Sequence, residues 1–183
     1  NLPLNIFEQR YLNLVNDAYS KDKLMGMVQS KNEGEKIYQI GCLGKISDYQ
    51  KSKDGRILIN LTGISRFKIL EEVTNDKLYR EFKVDYKEFG DDIININSEI
   101  DTKSLMESAK YFFKRNGLLL NWKEFEKLDQ SQRINTLAMI APITNEEKQK
   151  LLETISLEEK VKTLEDIMNF YLHEVDFNNQ TIQ

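Results

Sequence analysis

Between Ile37 and Leu70 the chain reads IYQIGCLGKISDYQKSKDGRILINLTGISRFKIL, and this stretch restricts the fold more than any other. Tyr38, Ile40, Cys42 and Ile46 alternate with Gln39, Lys45 and Ser47; past the turn, Ile57, Ile59 and Leu61 alternate with Leu58, Asn60 and Thr62. A period of two sends successive side chains to opposite faces, so the spacing predicts two long strands folded back on one another with one face turned to a core. Asp54-Gly55 lies between them, a dipeptide that accepts positive φ at both turn positions and gives a tight hairpin its twist. Gly41 and Gly44 interrupt the first strand and Gly63 the second. Glycine inside a strand marks a bulge or a close backbone crossing, so a strongly bent sheet is expected.

Ahead of the hairpin, Leu2-Pro3-Leu4 reads as an extended lead. From Ile6 onward Phe7, Tyr11, Leu14 or Val15, and Ala18 recur at three- and four-residue steps, which predicts a helix with those residues inward and Glu8 in its first turn, where the helix dipole favours an anion. Leu24 to Val28 is a continuous apolar run of strand length, expected to be buried on both sides. Beyond the hairpin, Tyr79 to Tyr86 alternates as a further half-buried strand. Around Phe89-Gly90-Asp91-Asp92 the pattern changes to helical periodicity. Ile93 to Ile100 fits strand or linker equally. A helix from Asp101 or Thr102 carries Leu105, Ala109, Phe112 and Phe113 inward and stops at Asn116-Gly117, a left-handed cap. Three pairs of an N-cap residue and a Glu or Gln three positions on, Asp129/Gln132, Thr144/Glu147 and Ser156/Glu159, mark three more helix starts. The first of these helices ends before Pro142, which cannot continue it. In the last, Leu157, Val161, Leu164, Met168 and Tyr171 form one apolar stripe. The fold class is therefore α+β: a bent β-rich part at 1–90 with one early helix, a helical-bundle part at 91–175, and a polar, frayed tail at 176–183.

Composition narrows the function. The formal net charge of −4 argues against a general polyanion binder, because nucleic-acid affinity rests on Lys and Arg neutralising phosphates. No apolar run approaches the ~20 residues that span a bilayer, and the start NLPLNIFEQRY has neither the basic nor the apolar region of a signal peptide. Cys42 is the single cysteine, which excludes an internal disulfide and fits a reducing compartment, so a cytoplasmic location is expected.

Catalytic patterns are weak throughout. Gly41-Cys42-Leu43-Gly44-Lys45-Ile46 lacks the spacing and the hydroxyl of a phosphate-cradling loop. His173, the sole histidine, falls on the last turn of a helix, where an imidazolium complements the carbonyl end. Cys42 reads as a small buried hydrophobe rather than a nucleophile. One Cys and one His cannot close a zinc shell. Glu146-Glu147 and Glu158-Glu159 serve helix starts, and Asp91-Asp92 alone makes no metal site. No catalytic, metal or cofactor residue is assigned, no cofactor is implied, and an enzyme is not expected. Lys45, Lys51, Lys53, Arg56, Arg66 and Lys68, with Tyr49 and Phe67 among them, could form a nucleic-acid surface; the plainer interpretation is a solvated strand face kept charged against edge pairing. Leu118-Leu119-Leu120 and Trp122 form an unusually apolar segment between helices. Either they plug a seam between the two halves, or part of them is exposed as contact surface for a peptide or partner.

Several of these stretches, taken in order, resemble the N-terminal, substrate-binding domain of Lon proteases: LPLNIFEQRYLNLV at Leu2 to Val15, LMGMVQ at Leu24 to Gln29, IGCLGKI at Ile40 to Ile46, DGRILINLTGISRFKI at Asp54 to Ile69, and LAMIAPITNEEKQKLLE at Leu137 to Glu153. Within them Phe7, Glu8, Arg10, Tyr11, Gly41, Gly44, Gly63, Arg66 and Phe67 are the family-motif positions, with structural roles; Arg10 and Tyr11 are expected to anchor the early helix to the sheet. The chain looks most like stand-alone bacterial members, without ATPase and peptidase modules. Gln9 stands where the family often has proline. The family pattern also opens with a further strand, of the type FPLxxxVLLP, which is absent from the given sequence; if that strand has been cut away, the sheet is incomplete and its neighbour has an unpaired edge. It further implies a PUA-like pseudobarrel for the first half and a non-catalytic recognition role in protein quality control. The expected partners are unfolded, damaged or extended polypeptides, with a protease acting in trans. The alternatives are an adaptor for one folded partner and a PUA-like RNA-binding module. Oligomeric state is not legible.

Overall fold

The computed structural model describes residues 1–31, 36–92 and 100–180, with 174–180 described for the main chain alone. The chain divides into two compact units, Asn1–Ile96 and Asn97–Gln183. The first is built on an antiparallel sheet. β1 (Leu2–Ile6) leads into α1 (Gln9–Tyr19), then β2 (Leu24–Met27), β3 (Ile40–Lys51), β4 (Ile57–Val73) and β5 (Glu81–Asp85). The sheet order is β1-β4-β3-β2, and β5 also pairs with β4. β4 is long enough to hold two strands in succession: Leu2 to Ile6 lie opposite Leu61 to Ile57, and Asp85 to Glu81 lie opposite Lys68 to Val73.

The long hairpin forms as its alternation requires, with Ile46, Ile57, Ile59 and Leu61 buried against Ile6, Val15, Ala18 and Met25. Its turn differs from the expectation. Only Gly55 takes positive φ, at 89°, and the closing bond runs from Ser52 N–H to Arg56 O at 2.8 Å. Three residues therefore make the loop, with the glycine alone in the left-handed region; Asp54 instead turns its carboxylate onto the Arg56 amide and guanidinium. The bend comes from two irregularities of register, at Leu43/Gly44 and at Ile46/Asp48. Gly41 and Gly44 are required by close approach. A Cβ on Gly41 would lie 2.6 Å from the Met27 carbonyl oxygen and 2.7 Å from the Phe67 ring, and one on Gly44 2.4 Å from Leu61 Cγ. Gly63 meets nothing nearer than Cys42 Sγ at 3.7 Å.

Three expectations for the first unit are corrected. Leu2-Pro3-Leu4 is a paired strand rather than a lead, and the helix starts at Gln9 with Glu8 as its N-cap residue. Phe7, 66% exposed, and Tyr11 therefore lie outside the core, while Val15 and Ala18 are buried and Leu12 and Leu14 half-buried. Among the described residues β2 pairs with β3 alone, and of its side chains Met25 is buried and Met27 exposed. Phe89, expected where the sequence changes character, belongs to the core of this unit. The short 3-10 segment Lys87–Asp92 that carries it is tied to β4 through Arg66, whose main-chain N–H donates to Asp92 Oδ2 at 2.8 Å.

The second unit is helical: α2 (Lys103–Arg115), α3 (Trp122–Phe125), α4 (Gln130–Ile140), α5 (Asn145–Glu153) and α6 (Leu157–Gln180). Leu105, Ala109, Phe112 and Phe113 of α2 pack with Ile134, Leu137, Leu151, Val161, Leu164 and Met168. The capping boxes of α4 and α5 form reciprocally. Before α6, Ser156 Oγ accepts from Glu159 N–H at 3.1 Å, but the Glu159 carboxylate reaches one residue further back, to Ile155 N–H. Gly117 ends α2 with φ 66°. α6 runs on to Gln180 through the stretch expected as tail, so His173 sits inside the helix rather than on its last turn. Most of the ambiguous 93–100 segment lies outside the described residues.

Candidate functional site

A groove of about 1210 Å³ opens on the β-rich unit. Its floor is aromatic over glycine: the Phe67 ring, itself buried, lies close over the backbone of Gly26 and Gly41, where a Cβ would come within 3.1 Å and 2.7 Å of it, the second a collision. One wall comes from α1 and β2, through Tyr11, Leu14, Leu24 and Val28. The other comes from the 78–86 stretch, through Leu78, Phe82, Val84 and Tyr86, with Tyr86 meeting Phe67 edge-on at 6.4 Å between ring centres. Leu78 is 60% exposed, and Tyr11 and Tyr86 are exposed beside it. Apolar and aromatic surface thus remains open to solvent around one concavity, and clustering of that kind marks an interaction site.

Hydrogen bonds hold the walls in place. Tyr79 O–H donates to Asp17 Oδ2 at 2.6 Å, linking the chain before β5 to α1. Burial pushes the Tyr79 phenol above its ordinary range, and the bond to Asp17 pushes it the same way. At the rim, Arg80 binds Glu72 at 2.6 Å and holds that carboxyl below its usual range. Arg10 pairs with Glu8 at 2.8 Å and lies over the Tyr11 ring at 4.6 Å. Arg10 and Tyr11 therefore build a groove wall instead of wedging α1 onto the sheet.

The basic stripe expected along the hairpin is dispersed. Arg56 pairs with Asp54 and Lys68 with Glu88. Arg66 is buried, bound to Asp92 and stacked over Phe89 at 4.4 Å. Cys42 is half-buried, its Sγ donating to Leu43 O at 3.6 Å. Cys42 and His173 belong to different units, and His173 is exposed on α6. Among the described residues no group of acidic, histidine or cysteine side chains has metal-ligand geometry. Glu147, expected at a helix start, is engaged there by the Thr144 N–H and also accepts from the Tyr171 hydroxyl at 2.9 Å.

The apolar segment of the second unit is split in role. Leu120 and Trp122 pack against the helical core, where the indole meets Phe113 and Phe125 edge-on. Leu118 is partly exposed and Leu119 fully so. The groove of the first unit was missed by sequence reasoning, because its residues come from four separated segments. The signal that bears on it is the pairing of Gly26 and Gly41 with Phe67 as positions needing close approach.

Fold and groove together define an α+β protein with an open antiparallel sheet and exposed apolar surface at a concavity. The chain matches the ATP-dependent protease La (LON) substrate-binding domain over residues 1–169, and it belongs to that family. Its fold resembles the crystal structure of a Lon N-terminal domain protein from Xanthomonas campestris, with a TM-score of 0.64 at 19% identity over 89% of this chain and 86% of that one. It also resembles the N-terminal domain of the Mycobacterium avium complex Lon protease, with a TM-score of 0.62 at 15% identity over 92% and 90%. In sequence it is 27% identical to the Lon protease of Syntrophus aciditrophicus, covering 97% of this chain but 24% of that protein. The chain thus spans about a quarter of the length of such relatives. Among the described residues no helix is long and apolar enough to cross a membrane.

Proposed function

We propose that this chain is a recognition domain for unfolded or damaged polypeptide, which it holds through apolar surface on behalf of a protease acting in trans. The observation that carries the proposal is the groove of the β-rich unit, where Leu78, Tyr11 and Tyr86 stay exposed around a floor made by Phe67. Family membership supplies the substrate-binding role. Rim charges are already neutralised within the domain, Arg80 by Glu72 and Arg10 by Glu8, so apolar contact rather than net charge supplies affinity. Leu118 and Leu119 of the second unit are a second proposed contact, while Leu120 and Trp122 serve the helical core.

A labelled, carboxymethylated test protein that cannot refold, titrated against the purified chain, tests this. Burying a leucine side chain contributes roughly 1.5–3 kcal/mol, so Leu78→Asp should weaken binding by about tenfold or more. Leu119→Asp measures the second surface separately. Affinity should hold between low and moderate salt, whereas a polynucleotide ligand would lose about a thousandfold or more. Unchanged binding in both variants would remove these surfaces from the reading.

A further inference from the structure

We infer that the leucine turn between α2 and α3 selects client segments in which an apolar side chain is flanked by carboxylates. This rests on the polypeptide-recognition reading above and names the class of segment that its second contact takes. The starting observation is that the turn is held with its apolar tip outward. Gly117 ends α2 in the left-handed region, and Leu118 N–H donates back to Phe113 O at 2.9 Å. On the other side Asn121 caps α3, its side chain accepting from Glu124 N–H at 3.3 Å. Leu120 and Trp122 are packed against the helical core. Leu119 stands between these anchors, fully exposed, with Leu118 partly exposed beside it. A turn pinned on both sides keeps its leucines presented to solvent, and it gives up little freedom when something binds them.

The tip has basic surroundings in a chain whose net charge is −4. From Lys110 to Lys127 five basic residues stand against two acidic ones. Both of those carboxylates are engaged, Glu126 by Lys110 at 3.5 Å and Glu124 by Lys127 at 2.7 Å. Lys110 Nζ also lies over the Trp122 ring at 5.5 Å, which sets this face of α2 against the chain leaving the turn. Lys114 is about one helical turn further along the same face, toward the tip. Lys123 lies in α3, directly after Trp122. Both lysines are exposed, and among the described residues neither has an ion-pair partner. The turn thus carries an unmatched ammonium group on the chain before it and another on the chain after it.

Charge beside an apolar contact decides which segment is accepted, while the apolar contact holds it. An unfolded segment with a leucine or phenylalanine between acidic residues supplies both parts. Its apolar side chain meets Leu118 and Leu119, and its carboxylates reach Lys114 and Lys123. The same segment with lysines in place of the acids would set like charges against each other. An anionic bilayer shares this chemistry but fits less well, because only two leucines are on offer and the chain as a whole is acidic. The groove of the first unit differs, since its rim cations Arg80 and Arg10 are already paired. The groove therefore reads apolar content, and the turn adds a preference for acidic neighbours.

The experiment titrates the intact chain with two tryptophan-free synthetic peptides that share a central leucine pair, one flanked by glutamates and the other by lysines. Trp122, beside the turn, reports by fluorescence, and the Leu119 methyl groups report by NMR. At low salt the glutamate peptide should bind about threefold tighter or more, as two exposed ion pairs provide. That preference should vanish at ~1 M salt, where the screening length is ~3 Å. Lys114→Gln with Lys123→Gln should abolish the preference, and Leu119→Ser, which adds no charge, should weaken both peptides. Equal affinity of the two peptides, with Leu119→Ser weakening both, would overturn charge selection and leave apolar recognition at the turn standing. A preference that survives the double lysine variant, or a Leu119→Ser variant that binds as before, would overturn the inference. So would binding of neither peptide; the carboxymethylated protein, tested alongside, then tells whether the recognition reading fails with it. Vesicles containing phosphatidylserine that bind through Leu119, with no preference between the peptides, would assign the turn to lipid and overturn it too. Because the peptide pair is compared on the unmodified chain, a variant that fails to fold does not rescue the inference.

Discussion

Replacing Gly41 with alanine should damage the β-rich unit, while the same change at Gly63, also in the hairpin, should not. At Gly41 the added carbon would sit 2.6 Å from the Met27 carbonyl oxygen and 2.7 Å from Phe67 Cζ. Reaching an ordinary carbon–oxygen separation of ~3.3 Å needs at least about 0.7 Å of retreat. The obstacle is main chain in a neighbouring strand, so β2 must peel from β3 or the Phe67 ring must tilt up into the groove. Overpacking of this kind costs about 1–3 kcal/mol, and a backbone obstacle belongs toward the upper end. At Gly63 the nearest atom is Cys42 Sγ at 3.7 Å, an ordinary contact, and the backbone is not in the left-handed region. Alanine there should stabilise by about 0.4–1 kcal/mol through a less flexible unfolded chain. The two variants should thus differ by about 1.4–4 kcal/mol, roughly 4–8 °C in melting temperature for each kcal/mol. Urea unfolding followed by NMR signals of the first unit measures it; Trp122, the only tryptophan, lies in the second unit and reports on that one. Equal stability of the two variants would refute the packing argument and the claim that Phe67 floors the groove on bare backbone.

Removing the Asp92 carboxylate should cost about 3 kcal/mol, the lower end for a broken buried ion pair, since Arg66 and Asp92 are 11% and 21% exposed. It strips partners from both the Arg66 guanidinium and its main-chain N–H; a loss below about 1 kcal/mol for Asp92→Ala in urea unfolding would show that solvent replaces the pair. Tyr79 sets an alkaline limit: its folded pKa is raised above the ordinary value of 10.0, so its stabilisation is complete below that value and lost as pH rises through the higher folded one. Above about pH 10 the first unit should weaken as pH rises, and Tyr79→Phe should flatten that slope; identical pH profiles would remove the Tyr79–Asp17 link as its cause.

What could be read from the sequence was what is local and periodic. Strands β3 and β4 follow from side chains two apart, helices α2 and α6 from apolar positions three and four apart, and α4 and α5 from the capping boxes at their starts. Gly41 and Gly44 could be marked as crowded without knowing by what. The failures share a cause. Phe7 and Tyr11 have helical spacing, but a strand at Leu2 to Ile6 delays the helix, and residues that look inward by count then face solvent. β2 is apolar enough for a central strand, yet among the described residues it pairs with β3 alone, because composition does not say how many neighbours a strand has. Phe89 and Asp92 looked like a boundary because their partner, Arg66, is far away along the chain. The groove was invisible for the same reason, being assembled from segments that only the bent sheet brings together.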